Sequence, residues 1–220
     1  MTASPSKDPA NDGTMAGVLS SVLNKFTQNT DDMLPAKIIA YDRKLNLATV
    51  QPLIAMLDTN SNKISRAVIS RVPVLQIGGG GFMLNFNLKS GDLGWIKAND
   101  RDISLFVQSL SESRPNTLRK KSFEDAIFIP SIMRNYTIAG EDETHAVIQS
   151  LDGSVRISLW SDKVKITAPN GLLVDGDIES TGEIRAAGTV SSQIDVIGGG
   201  KSGVNHTHRD SIGGNTTAPL

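Results

Sequence analysis

The sequence contains no cysteine, which removes disulfides, thiolate zinc sites and cysteine nucleophiles from consideration. Aromatic residues make up only 5% of its 220 positions, low for a single well-filled globular core. No apolar run approaches the roughly 20 residues that a membrane-spanning helix needs. Neither sign of charge dominates. The 22 Lys and Arg stand against 23 Asp and Glu, a formal charge of −1, which argues against a nucleic-acid binder held by a broad basic surface. Histidine is scarce, at three residues, while glycine is generous, at 20.

These residues are unevenly spread. Of the ten aromatics, nine lie at or before Tyr136 and only Trp160 follows. Residues 1–135 carry 16 basic and 12 acidic side chains, whereas 136–220 carry 6 and 11. The first part has the bulk to fill a compact core; the second has small residues, β-branched residues and glycine. Two different architectures are expected.

Residues 1–32 read as a flexible arm and a short helix. Met1–Gly13 is rich in Pro, Ser, Asn and Asp, the composition of a disordered segment. In the stretch that follows, Met15, Val18, Leu19, Val22, Leu23 and Phe26 recur at helical spacing and predict an amphipathic helix that docks on a neighbour. The rival reading is a signal peptide. Its n-region would hold Lys7 alone beside Asp8 and Asp12, and Lys25 interrupts the far side.

Residues 33–135 are strand-rich. Strands over Ala36–Tyr41 and Leu47–Ile54 flank a turn at Asp42–Lys44, and Ala67–Ile77 gives another, bent at Pro73. Three further runs, FMLNFNL, LGWIKA and ISLFVQS, complete a pattern of short strands and Gly-rich turns that points to a small β-barrel or sandwich. Phe82, Phe86, Trp95 and Phe106 sit at alternating positions and are expected in its core. Gly78–Gly81 is read as a hairpin loop, because no Gly-Lys-Ser/Thr follows and no helix begins there to cradle a phosphate.

After Tyr136 come very short alternating segments: Val155/Ile157/Leu159, Val164/Ile166/Ala168, Leu172/Val174, Ile178, Ile184/Ala186, Val190 and Ile194/Val196. Turn signals such as Asp152-Gly153, Pro169-Asn170-Gly171 and Asp175-Gly176 punctuate them at intervals too short for an immunoglobulin-like sandwich. Strands this thin bury little and expose their edges. Stacking them along an axis and closing the edges with identical chains solves both difficulties. A threefold β-prism over 136–200, aliphatic inside and polar outside, is the expectation, against the plainer one of a low-complexity tail.

The last segment, 201–220, holds His206 and His208. In an extended backbone residues two apart point to one face, so both imidazoles can look at a common axis. Two rings from each of three chains give six nitrogens, a set suited to octahedral Fe²⁺, Ni²⁺ or Co²⁺ rather than four-coordinate Zn²⁺. The plain alternative is a pair of surface histidines. A metallo-β-lactamase-type His-x-His-x-Asp-His motif is not completed, because Ser211 stands where its last His belongs and no His follows. Neither a Gly-x-Ser-x-Gly elbow nor a His-Glu-x-x-His helix is present, so no enzyme is expected.

A small barrel, a slender trimeric prism and a terminal His-x-His, in that order, resemble the membrane-puncturing central spike of contractile-tailed bacteriophages. Within the barrel the resemblance rests on Val72-Pro73-Val74, Gly91-Asp92-Leu93-Gly94-Trp95 and Asp100-Arg101-Asp102-Ile103. It implies an all-β fold: an oligosaccharide/oligonucleotide-binding (OB) collar at 33–135, an intertwined trimeric β-helix at 136–200, and a metal-bound apex at 201–220. It further implies one Fe²⁺ per trimer on the threefold axis, held by His206 and His208, with the residues after Ser211 folding back over the tip. Implied partners are two further copies of the chain, a tail-tube or baseplate hub protein gripped by the N-terminal domain, and the host outer membrane, with no nucleic acid. The implied location is the tail tip of the virion, after synthesis in the host cytoplasm. Some related spikes carry a lysozyme domain between barrel and helix, and the stretch from Met133 to Val155 is too short for one. Two alternatives stand beside the spike: a baseplate hub or fibre adaptor that pierces nothing, and an OB-fold binder of oligosaccharide or single-stranded nucleic acid, which would need exposed aromatics beside basic residues.

Overall fold

The computed structural model describes residues 13–28, 30–58, 60–209 and 211–215. The expected disordered arm falls on residues 1–12, outside the described residues. The chain divides into two compact units, residues 1–165 and 166–220.

The first unit opens with α1 (Met15–Gln28), the predicted amphipathic helix. Thr14 caps it, its Oγ1 accepting the Gly17 N–H at 3.0 Å. All six apolar residues of the predicted face are exposed. Then come β1 (Met33–Asp42) and β2 (Leu47–Pro52), a small hairpin of β3 (Met56–Leu57) and β4 (Lys63–Ile64), and β5 (Ile69–Pro73). A second hairpin, β6 (Ile77–Gly79) with β7 (Phe82–Leu84), leads to β8 (Leu93–Asn99), α2 (Ser104–Ser109) and β9 (Ser122–Pro130).

Five of these strands make one antiparallel sheet in the order β5-β2-β1-β8-β9. Its two edges meet where Val74, just past β5, bridges in parallel to Phe128 of β9. The Leu75 N–H donates to the Phe128 carbonyl at 2.8 Å beside that bridge. The result is a nearly closed, OB-like five-stranded barrel. Alternation along β2 and β8 sends Ala48 and Val50, and Gly94, Ile96 and Ala98, to the inside. Ala36, Ile38, Val72, Val74, Phe123, Ala126 and Phe128 complete the core. Small residues prevail because Phe128 occupies the centre: a Cβ on Gly94 would lie 2.5 Å from the Phe128 ring and 2.4 Å from the Ile129 carbonyl.

Two expectations are corrected here. ISLFVQS is a helix rather than a strand. Asp102 Oδ1 takes the Ser104 N–H at 2.9 Å, and Thr117 and Arg119 fix that carboxylate in turn, so a buried anchor starts a turn where propensity favours extension. The aromatics also lie differently. Phe82 is 85% exposed, and Phe86 and Phe106 are exposed as well. Trp95 alternates with the inward Gly94 and Ile96 and is only half-buried. Phe123 and Phe128, on β9, fill the barrel instead.

Past the barrel, β10 (Ala146–Gln149), β11 (Arg156–Leu159) and β12 (Val164–Thr167) form a three-stranded sheet. It is built around charge rather than bulk. Asp142, fully buried in a 3-10 turn (Gly140–Asp142), accepts from Arg156 Nε at 2.7 Å and from Trp160 Nε1 at 2.9 Å. Burial pushes its carboxyl pKa up, but the hydrogen bonds from Trp160 and Arg156 prevail and hold it below the ordinary value. Glu141 closes the cluster, accepting from Lys165 at 2.6 Å and from Arg156. His145 stacks on Trp160 with ring centroids 4.8 Å apart, and Lys163 lies over the indole at 4.4 Å.

The second unit, by itself, is sparsely bonded. Residues 168–196 form no hydrogen-bonded strand within the chain, so the short strands expected at 172–196 have no partner in a single copy. Leu172, Val174, Ile178, Ile184, Val190, Ile194 and Val196 are all exposed. Order returns at a tight hairpin, β13 (Ile197–Gly198) with β14 (Lys201–Ser202). Its two turn residues, Gly199 and Gly200, have φ of 57° and 77°, the left-handed pair that a type I′ turn requires.

Candidate functional site

The β13–β14 hairpin carries the chain into the histidine pair. Both rings come together as the spacing predicts: His206 and His208 have centroids 4.9 Å apart and planes at 85°. His206 is half-buried and His208 exposed. The Nδ1 of His206 lies 3.1 Å from the carbonyl oxygens of both Ser202 and Gly203. A carbonyl only accepts, so Nδ1 carries a proton, and in the neutral ring the lone pair is on Nε2. That tautomer suits ligation through Nε2, and a backbone carbonyl is a common support for such a ring. The donor chemistry therefore fits a borderline transition metal such as Fe²⁺. Among the described residues of one chain, no three His, Asp or Glu side chains gather to hold a metal ion. Two imidazoles are what the histidine pair of a single chain offers.

The turn bearing His206 is tied from outside. Asp195 Oδ1 accepts the Val196 N–H at 2.8 Å and the Val204 N–H at 3.1 Å. Ser202 Oγ accepts the Asn205 N–H at 2.8 Å, and the Gly203 N–H donates to the Val196 carbonyl at 2.8 Å. The Ser202 hydroxyl, with the amides of Val204 and Val196, holds the Asp195 carboxyl below its ordinary pKa. None of these supports was singled out from the sequence, although the Gly199-Gly200 turn fixes the register that brings Asp195 beside Val204. Beyond the pair the chain reverses, with an antiparallel bridge between Arg209 and Asn215. Residues 216–220, part of the segment expected to cover the tip, lie outside the described residues.

The barrel offers surfaces rather than a catalytic constellation. The β6–β7 hairpin holds Ile77, Phe82, Met83 and Leu84 out to solvent, and the β3–β4 hairpin does the same with Met56, Leu57 and Ile64. A groove of about 370 Å³ at the foot of the barrel is lined mainly by Phe86, Leu88, Leu93, Pro130, Ile132 and Met133. Buried charge elsewhere in the barrel is structural. Arg119 forks onto Asp125 at 3.0 and 3.1 Å and reaches Asp102 at 3.3 Å, clamping the segment between α2 and β9.

Residues 34–131 match the family model of the phage protein Gp138 N-terminal domain. The match spans the whole OB-like barrel and supports a bacteriophage structural protein, associated with the virion. Among curated proteins none matches the chain. Residues 132–220, which contain the charged three-stranded sheet and the histidine pair, lie outside the matched phage domain. No helix among the described residues is long and apolar enough to cross a membrane.

Proposed function

We propose that three copies of this chain form the tail-tip spike of a phage virion, and that tail contraction drives the spike through the host outer membrane. The observation that carries this reading is the aliphatic series from Leu172 to Val196, which one chain leaves exposed behind a phage-type barrel. Side chains spaced this regularly, on a backbone with unpaired edges, call for identical neighbours to cover both. In a trimer they turn inward as a β-helix, and the acidic, aromatic-poor outer face offers lipid little to hold. The N-terminal domain joins the spike to the hub or tail tube; its exposed hairpins and apolar groove are the surfaces available for that contact. Neither catalysis nor nucleic-acid binding belongs to this role.

The apex follows from the same symmetry. His206 and His208 of three chains would together hold one Fe²⁺. Bound there, the ion would supply a crosslink between the three chains. Function is mechanical: interchain pairing removes free edges and stiffens the rod, and the crosslinked point concentrates the load.

One observation bears on the OB-fold binding reading. Exposed Phe82 and Phe86, with Arg43 bonded to Asn85 at 2.6 Å between them, are features an OB-fold ligand groove would use. An oligonucleotide gel shift with the intact protein is expected to be negative. The hub or adaptor reading is separated by deleting residues 166–220 in the virion. A spike predicts particles that assemble but do not infect; an adaptor predicts that assembly fails. Immunogold label on the chain is expected at the tail tip, and label elsewhere on the particle would overturn the proposal.

A further inference from the structure

We infer that Asp195 is a positioning residue for the histidine pair, setting the tautomer and orientation of His206 through the turn at 202–206 before any metal arrives. The inference rests on the proposed metal site. Its grounds are geometric. Asp195 precedes β13 by two residues, and the two-residue turn at Gly199-Gly200 folds β14 back so that residues 202–204 return beside it. One carboxylate oxygen then takes the N–H of Val204 at 3.1 Å while also capping Val196 at 2.8 Å. The Ser202 and Gly203 carbonyls are thereby aimed at one point, where both meet His206 Nδ1 at 3.1 Å.

Position 203 tolerates nothing larger than glycine. A Cβ there would lie 2.9 Å from the Val196 carbonyl and 3.6 Å from Asp195 Oδ1. A hairpin needing only to reverse direction has no use for so close an approach, or for two carbonyls converging on an imidazole. A histidine whose Nδ1–H is shared by two fixed acceptors is committed to ligation through Nε2, so less ordering remains for metal binding to impose. Asp195→Asn is the milder change, because its amide oxygen can still accept from Val204; Asp195→Ala removes the acceptor and frees the turn.

The experiment uses the full-length protein with selectively ¹⁵N-labelled histidine, in parallel with iron titration under anaerobic conditions. In metal-free wild type, the long-range ¹H–¹⁵N spectrum is expected to show His206 as the Nδ1–H tautomer. Asp195→Ala is expected to mix the tautomers and weaken iron binding by up to about 10-fold, the low end of what losing a direct partner of a ligand costs. Oligomeric mass should be unchanged, and Asp195→Asn should recover most of the affinity. A merely structural role would lower the melting temperature and leave the tautomer alone. Unaltered tautomer and iron affinity in Asp195→Ala would overturn the inference while the metal site stands. If wild type takes up no iron, the metal reading fails by itself, and the tautomer comparison still decides whether Asp195 positions His206.

Discussion

Replacing Ile184 by Asp puts the proposed assembly under direct stress. In a single chain Ile184 is 74% exposed, so most of its apolar surface is available for burial against other copies. Full burial of such a side chain contributes about 1.5–3 kcal/mol, so three copies at a common axis lose roughly 3–7 kcal/mol when it is removed. The aspartates add the cost of taking three like charges out of water, several kcal/mol per ion after relaxation. Taking the apolar loss with one such penalty gives about 7 kcal/mol or more, a fall of roughly five decades in the association constant. Freshly expressed Ile184→Asp protein is therefore expected to sediment as a monomer at micromolar concentration where the wild type sediments as a trimer. Thr181→Asp, on an exposed polar turn position, should remain trimeric. An Ile184→Asp protein that keeps the wild-type mass and concentration dependence would refute the claim that this residue faces an axis.

Other expectations concern the barrel, the charged sheet and the tip. Gly94→Ala should destabilise the barrel by about 1–3 kcal/mol, because the new methyl meets Phe128 and the Ile129 carbonyl inside a closed core. Its calorimetric transition should move down, whereas Gly79→Ala, with open space around it, should leave the transition in place. Asp152 is pushed down to about 2 from 3.8 by Ser150 and Ser154, and Asp142 and Glu141 shift the same way. Folded-state pKa values below the unfolded ones mean stability that is fully present above 4.5, the ordinary value for Glu141, and is lost as the pH falls to about 2. Melting followed by Trp160 fluorescence in a Trp95→Phe background should drop across that window, and a rise on acidification would contradict the assignment. Changing His206 and His208 together to Ala should abolish bound iron yet leave the trimer intact; collapse to monomers would mean that the aliphatic series contributes little.

The barrel was legible because a half-buried strand writes its burial as alternation. Ala48 and Val50 in β2 lie inside by that period, whereas in β8 the phase is the reverse of the one expected: Gly94, Ile96 and Ala98 are inside and Trp95 lies between them. What stayed hidden depends on tertiary anchors. ISLFVQS has strand propensity, and only the buried Asp102 carboxylate, held by Thr117 and Arg119 far along the chain, starts a helix there. Phe82 and Phe86 alternate just as core residues do, yet their hairpin stands off the barrel, and periodicity alone does not say which sheet a face will meet. The charged sheet was hidden for a related reason. Glu141-Asp142-Glu143 reads as a solvated run, and a buried Asp142 makes sense only when Arg156 and Trp160 are seen to reach it. At the tip, the pairing of His206 with His208 was readable from spacing. Its support by Asp195 was not, because that requires the register of a hairpin between them.

Native mass spectrometry of the intact protein tests the central claim most directly. The account predicts a single species of three chains with one iron atom, losing the iron but not the trimer when His206 and His208 are replaced. A metal-free trimer would remove the apex and leave the prism, favouring the adaptor role. A monomer, with or without metal, would contradict the account.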